Sequence, residues 1–504
     1  NLTGDLNNAG TVSGRTVTQI TAENINNMGG RLNANQLNLS ARNDLNNIGG
    51  MIDANTSAVL SAGRDVNSVT TTATAANNYG SKTIIDRVAG IYVGTGANEI
   101  LDPTGMDSTS NVNTLNISAG HNVNLAGADI ANDGIGATQI KADNDLNLAT
   151  VTTANNEGFY RNKRNGYAIS ETQDIGSNLS GTGDVKLQAG HDLNATAATV
   201  NSQAGALIAV AGHDVNIGAG TDTRSTVADG YVKQKGLLKT KTTTVHTESD
   251  ESNAVGSDFT GAQVIVNAGH DANITGSNVV SDDLTSITAK NNVNIVASAN
   301  ESRTNQFEKH TTSGLMGTGG IGFTVGSKMQ STDTDTVTRT QNGSTVGSLY
   351  GNTNIKAGEH YTQTASTVNS PVGDVNISAK TVDINAGYNT QVTDSKSVQK
   401  QSGLTVALST PITDALMAAK AVYDGSKDIG KSKNDRVNAM AVANTAWGTY
   451  KAAEGLGKAA SNLASGSGNN GGAGNISVSI TYGQSKAEQT SHDAAAISVG
   501  STVN

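Results

Sequence analysis

The chain has 504 residues, including 58 Gly, 3 Pro and no Cys, with 3% aromatic residues and a formal charge of −10. Without Cys there is neither a disulfide framework nor a thiolate-ligated zinc or iron–sulfur site, which also suits a chain exported unfolded through an oxidising compartment. The acidic balance argues against nucleic acid as a partner, the poverty in aromatics argues against an ordinary globular core, and no run of about 18 apolar residues offers a transmembrane helix.

Residues 1–69 repeat without interruption. Leu6-Asn7-Asn8-Ala9-Gly10, Ile25-Asn26-Asn27-Met28-Gly29-Gly30 and Leu45-Asn46-Asn47-Ile48-Gly49-Gly50 succeed one another at 19 and 20 residues. A second motif recurs further along, as Ala62-Gly63-Arg64-Asp65-Val66-Asn67, Ala119-Gly120-His121-Asn122-Val123-Asn124, Ala189-Gly190-His191-Asp192-Leu193-Asn194, Ala211-Gly212-His213-Asp214-Val215-Asn216 and Ala268-Gly269-His270-Asp271-Ala272-Asn273. Around it apolar residues alternate, as at Val185, Leu187 and Ala189, which is the period of a strand with one buried face. A unit of about 20 residues cannot bury such a face alone, but units stacked as coils can. Helical solenoids need a 3.6 period that these units lack. The expected fold is therefore all-β: a right-handed parallel β-helix (solenoid) with β-hairpin excursions and a small helical insert. The six-residue motif reads as a corner, with Gly taking positive φ and Asn tolerating the left-handed region. Asn67, Asn124, Asn147, Asn194, Asn216, Asn273 and Asn294 would then stack about 4.8 Å apart as a corner ladder. About 14 coils would give a rod of roughly 70 Å.

From 70 to 387 coil pairs alternate with long gaps. Ala62 to Ala119 is 57 residues, Ala142 to Ala189 is 47, Ala211 to Ala268 is 57 and Ala289 to Ala357 is 68. Less one coil, these leave excursions of roughly 25 to 45 residues, too long and regular for loops, which read as β-hairpins standing off the rod. Ile175-Gly176-Ser177, Val255-Gly256-Ser257 and Val346-Gly347-Ser348 punctuate their ends, and Ile497-Ser498-Val499-Gly500-Ser501 repeats the pattern. The last excursion occupies 388–504. It has a strand at 404–408, a helix start at Thr410-Pro411, a helical insert over 411–464, a Gly/Ser/Asn linker over 465–474, and a return strand at 476–482 that pairs with the first. The chain opens inside a repeat and stops where another coil is due, so it is expected to be a segment of a longer protein.

The Ala-Gly-His-Asp-x-Asn motifs, the Asn-Asn-x-Gly-Gly repeats and excursions such as 313–328 resemble the haemagglutinin repeats of filamentous haemagglutinin-type exoproteins. Within that family the pattern is similar to the second haemagglutinin-repeat region of contact-dependent growth inhibition effectors (the CdiA type). The resemblance spans the chain, with 1–69 nearer the plainer first-region repeats. It implies two-partner secretion through a partner outer-membrane transporter, and a place on the bacterial surface after a stage in the periplasm. It also implies association with a target cell's outer membrane or a surface receptor, to help pass a C-terminal toxin that is absent here.

Candidate chemistry is sparse. His121, His191, His213 and His270 share one motif slot, but Arg64, Asn43, Asn144 and Asn291 fill it elsewhere, so it reads as a solvent-facing position rather than a metal site. Gly317-Thr318-Gly319-Gly320-Ile321-Gly322 has the spacing of a dinucleotide loop, but alternating Phe323 and Val325 follow it where a helix is required. Gly326-Ser327-Lys328 likewise lacks the spacing and helix of a phosphate loop. Polysaccharide-cleaving β-helices cluster carboxylates, whereas Asp65, Asp192, Asp214 and Asp271 recur one per motif. No catalytic residue, cofactor or metal is assigned. Phe323, Val325 and Trp447 are the candidate membrane or partner contacts, although the Trp447 face also suits a seam between two helices. Three functions follow from this pattern: a delivery segment acting at a recipient outer membrane, an adhesin stalk binding host glycans or other filaments, or a passive spacer.

Overall fold

The computed structural model describes residues 1–94, 113–317, 322–409 and 477–504. The expected helical insert at 411–464, Trp447 and the linker at 465–474 lie outside these. The rod is a parallel β-helix with three strand positions per coil. Among the described residues the first face holds 12 short parallel strands, running from Leu6–Asn8 to Thr381–Asn385. The second and third faces are seen in the strand Thr199–Ala211, whose pairing breaks between Ser202 and Ala206. Its first part continues Asn178–Gly181 and its second continues Val185–Ala189. Twelve strands rather than about 14 coils span roughly 53 Å at about 4.8 Å each. The fifth excursion leaves the rod at Gly387, and the chain pairs with the rod again at Thr502–Val503.

Alternation drives the burial. On the first face Val123 and Leu125 point inward with Asn124 between them, and the inward column Leu45, Val66, Val123, Leu146, Leu193 is fully buried. Each such side chain contributes about 1.5–3 kcal/mol. The interior is narrow, so Val, Leu, Ile and Ala fill it; Tyr361 and Phe259 are its two fully buried aromatics among the described residues.

The two corners flanking the first face have different requirements. At the corner entering it, the motif glycines do not take positive φ, contrary to expectation. They are needed because the coil below comes too close. A Cβ on Gly212 would sit 2.0 Å from the Gly190 carbonyl oxygen, and one on Gly269 would sit 1.8 Å from that of Gly212. Positive φ occurs instead at the corner leaving the first face, at Gly29, Gly49, Gly127 and Gly276 and also at Ala197 (48°) and Ala365 (46°).

From residue 70 onward every second coil replaces that left-handed residue with a hairpin. The hairpins are Thr71–Asn77 with Gly80–Arg87, Val151–Asn162 with Asn165–Ile175, Gly220–Lys235 with Lys239–Val255, Ser298–Gly317 with Gly322–Asn342, and Gly387–Ser409 with Ser477–Val499. They alternate with the plain corners at Gly127, Ala197, Gly276 and Ala365. They do not stand off separately. Each hairpin pairs with the next, giving one ten-stranded antiparallel sheet. Two coils rise about 9.6 Å, and the two strands of a hairpin occupy the same distance, so one hairpin per two coils tiles without gap or overlap.

Gly212→Ala is expected to destabilise the chain by roughly 1–3 kcal/mol through backbone overpacking. Ala197→Gly, which relieves a left-handed alanine, is expected to be neutral or stabilising by about 1 kcal/mol. Denaturant midpoints of the two variants measure both, and an unchanged midpoint for Gly212→Ala would refute the close-approach account.

Candidate functional site

The seven predicted ladder residues form one column. Asn124 Nδ2 donates to Asn67 Oδ1 at 2.8 Å, and the chain of amides continues through Asn147 (2.9 Å), Asn194 (3.0 Å), Asn216 (2.9 Å), Asn273 (2.8 Å) and Asn294 (2.8 Å). Asn7, Asn26 and Asn46 extend it below Asn67. The column is not at a corner. It runs up the outward side of the first-face strands, where each Asn is flanked by two inward apolar residues, and no described Asn has positive φ. A second, buried amide column, Asn8, Asn27 and Asn47, lies inside the first coils.

The true corner carries His and Asp. Asp192 Oδ1 accepts from the Asp214 backbone N–H (3.0 Å) and lies 3.0 Å from His213 Nδ1 in the next coil. Asp145 with His191 and Asp214 with His270 repeat the arrangement. Burial pushes the Asp192 carboxyl up, but the Asp214 N–H and the neighbouring His213 and His191 outweigh it and hold it below the usual carboxylate range. The imidazoles of His191, His213 and His270 stack at 4.8 and 4.7 Å, tilted by 4° and 2°. His191, Asp192 and His213 bring ligand atoms within 4.8 Å of one another, as do His213, Asp214 and His270. Each Nδ1 is already turned to a carboxylate, however, and parallel rings do not converge on one ion. The column is a structural seam.

The hairpin sheet has two unlike faces, because successive side chains alternate sides. One carries charge: Arg303 with Asp335 (3.0 Å), Arg339 with Glu301 (2.8 Å), Lys396 with Glu488 (2.6 Å) and His492 with Asp394 (2.6 Å). Lys396 and Lys486 bonded to Glu488 hold its carboxyl down at about 2. The opposite face is richer in hydroxyls, with Thr334 on Ser395 and Thr336 on Thr393, and it also carries the pairs Arg224 with Glu171 (3.3 Å) and His310 with Glu308 (2.8 Å). Phe323 and Val325 lie at the far end of the charged face, paired with Val406 and Leu404 and 44% and 50% exposed. The strand 404–409 does pair with 477–482, as Leu404 to Tyr482 and onward.

The Gly-Ser punctuation marks a device that the sequence alone left unexplained. Where the second hairpin re-enters the rod, the Ser177 hydroxyl donates to the Leu125 carbonyl (2.9 Å) and accepts the Ala128 N–H (3.2 Å). Ser257 does the same with Gly218 and Ala198, and Ser501 with Asn385 and Ser366. At the fourth hairpin the residue is Ser344, not Ser348, which ends the strand Thr345–Ser348. Each hydroxyl satisfies backbone groups that the departing hairpin would otherwise leave unpaired.

Residues 238–399 match the family described as Hemagglutinin repeat. The chain is 30% identical to the tRNA nuclease CdiA of Escherichia coli (strain STEC_O31) over 77% of its own length and 12% of that protein's. It is 30% identical to the 16S rRNA endonuclease CdiA of Enterobacter cloacae over 67% of its own length and 10% of that protein's. It is 28% identical to the Deoxyribonuclease CdiA of Dickeya dadantii over 55% and 8%. The chain thus spans between 8% and 12% of these relatives. No solved structure matches it.

Asn194→Asp places an acceptor against the Asn147 oxygen and is expected to cost about 1 kcal/mol in a denaturant titration. Because the Asp192 carboxyl is depressed in the folded chain, its contribution is complete above its unfolded value of about 3.9 and is lost as pH falls through the lower folded value. Asp192→Asn, tolerable because Asn122 already accepts the Asp145 N–H in the equivalent slot, is expected to flatten the loss of thermal stability below about pH 4.

Proposed function

We propose, since the chain is a filamentous-haemagglutinin-type repeat region similar to that of CdiA proteins, that it is a non-enzymatic delivery segment of a large exoprotein. That protein leaves its cell through a partner outer-membrane transporter, stands at the bacterial surface, and uses this segment at the recipient's outer membrane to help pass a C-terminal toxin. The observation that carries this reading is the division of labour in the fold. A rod closed by plain left-handed corners would stand by itself, yet every second corner from residue 70 onward is spent on a hairpin, and the hairpins join into one broad sheet. A surface that large, built beside a rod that does not need it, is a surface for contact.

The relatives support the same reading. Proteins named for cleaving tRNA, 16S rRNA and DNA all share this segment, as expected of a common carrier rather than of the part that distinguishes their chemistries. The uninterrupted coils at 1–69 act as stalk, and the coil pairs at 70–387 with the last excursion at 388–504 act as the contact region. Phe323 and Val325 on the sheet and Trp447 are its candidate membrane contacts.

Excising Gly220–Val255 and closing that corner with one glycine, as at Gly276, leaves the rod its own hydrogen bonds but interrupts the sheet. The variant is expected to keep its β-sheet circular dichroism while co-sedimentation with outer-membrane vesicles of a Gram-negative recipient falls at least tenfold. Undiminished vesicle binding, or binding to glycans with none to vesicles, would refute the delivery reading.

A further inference from the structure

The hairpin strands lengthen along the rod. They have 7 and 8 residues in the first hairpin, 12 and 11 in the second, 16 and 17 in the third, 20 and 21 in the fourth, and 23 and 23 in the fifth. Their roots are level, so each overhangs the last by about four residues, roughly 13 Å, and the outer edge of the sheet is a staircase. The first hairpin ends against Glu157 and the second against Asp229; the third ends against Gly314.

The composition changes at each step. Inland, the third hairpin carries Asp222, Asp229, Glu248, Asp250 and Glu251; its overhang, residues 230–243, carries Lys233, Lys235, Lys239 and Lys241 and no acid. The second overhang, 158–168, carries Arg161, Lys163 and Arg164, again with no acid. In a chain of net charge −10, seven of the eight Lys and Arg residues of these two hairpins gather at the rim, and the eighth, Arg224, lies inland paired with Glu171. The same overhangs expose apolar groups: Phe159 (48%), Tyr160 (50%), Leu237 (100%) and Leu238 (62%). The next step continues the row, with Leu315 bonded through its N–H to the Leu238 carbonyl and Phe323 and Val325 beyond it.

We infer that this stepped rim docks on an anionic lipid surface, its lysines and arginines at the headgroup phosphates and its leucines and aromatics in the acyl boundary beneath them. The inference rests on the membrane reading above and adds its residues and lipid class. Cations interleaved with aromatic and aliphatic side chains are the pattern of the membrane interface. A polynucleotide would use the cations and the rings, but Leu237 and Leu238, the most exposed of the group, offer a base neither a stacking plane nor a hydrogen bond.

The test is flotation of the 504-residue chain with vesicles of phosphatidylglycerol or of phosphatidylcholine. Binding to the anionic vesicles at least tenfold tighter, weakened by about 0.5 M salt, is expected. The variant with Lys233, Lys235, Lys239 and Lys241→Glu is expected to lose at least tenfold in affinity, and Leu237→Ser with Leu238→Ser to lose retention in high salt. All six positions are on the outer edge, so β-sheet circular dichroism should be unchanged. If the charge-reversed variant floats like the parent and still binds outer-membrane vesicles, the rim is refuted and the delivery reading survives. Binding to neither synthetic vesicle refutes the rim, and absence of binding to outer-membrane vesicles as well refutes both. Preference for a single-stranded polynucleotide over anionic vesicles refutes the lipid assignment.

Discussion

Everything in this molecule obeys one distance, the spacing of hydrogen-bonded strands. It sets the rise of the coils, and the imidazole stacks of His191, His213 and His270 at 4.8 and 4.7 Å measure it directly. A column of identical residues at that spacing is stable only if each member can both donate and accept. Asn does so with its amide, which is why one amide per coil passes a hydrogen bond from Asn7 to Asn294. Asp cannot, since a bare column of carboxylates would repel itself. The Asp column at the corner therefore alternates with backbone N–H groups and imidazoles, so that each carboxylate meets donors from the coil above.

The same distance explains how a sheet with water on both faces is held. A hairpin in isolation is marginal, and these have no apolar layer behind them over most of their length. They are rooted instead at fixed intervals on a rod whose pitch equals theirs, so that pairing with the next hairpin requires no search and little further loss of entropy. Arg87 at the root of the first hairpin donates to the Gly29 carbonyl, tying the short edge of the sheet down to the last plain coils. The surface ion pairs add specificity of register more than energy, since exposed pairs contribute little.

Much of the rod was legible in the sequence, because a repeat writes its own alignment. The Asn column could be named residue by residue, and the long gaps between corner alanines bracket the hairpins that begin at Thr71, Val151, Gly220 and Ser298. The Asn column runs on strands and not at the corner because only the first part of the motif turns. Carrying the alternation through Val123, Asn124 and Leu125 puts Asn124 on the outside of a strand. The cause of the motif glycines is hidden for a related reason: positive φ and close backbone approach both select Gly, and only the stacked coils distinguish them. Fusion of the hairpins could not be read at all. Pairs such as Asp250 with Arg303 or Asp335 with Asp394 join residues more than fifty positions apart in strands without repeat or apolar period. The rim was missed with it. Leu237, Phe159 and Tyr160 each look like a lone exposed hydrophobe until the level roots bring them to one edge.

The graded hairpins also give the rod a direction. Each pair of coils adds about 9.6 Å along the axis and about 13 Å of overhang, so a line through the outer ends of the described strands inclines roughly 50–55° to the rod. A surface laid along that line meets the short hairpins near the plain coils and the long ones together, with the rod held at a slant rather than upright or flat. Equal hairpins would give an edge parallel to the axis and a rod lying alongside whatever it touched. On the docking proposal the staircase would set the angle of approach through strand length alone, with the Leu315 N–H bonded to the Leu238 carbonyl between two of its steps.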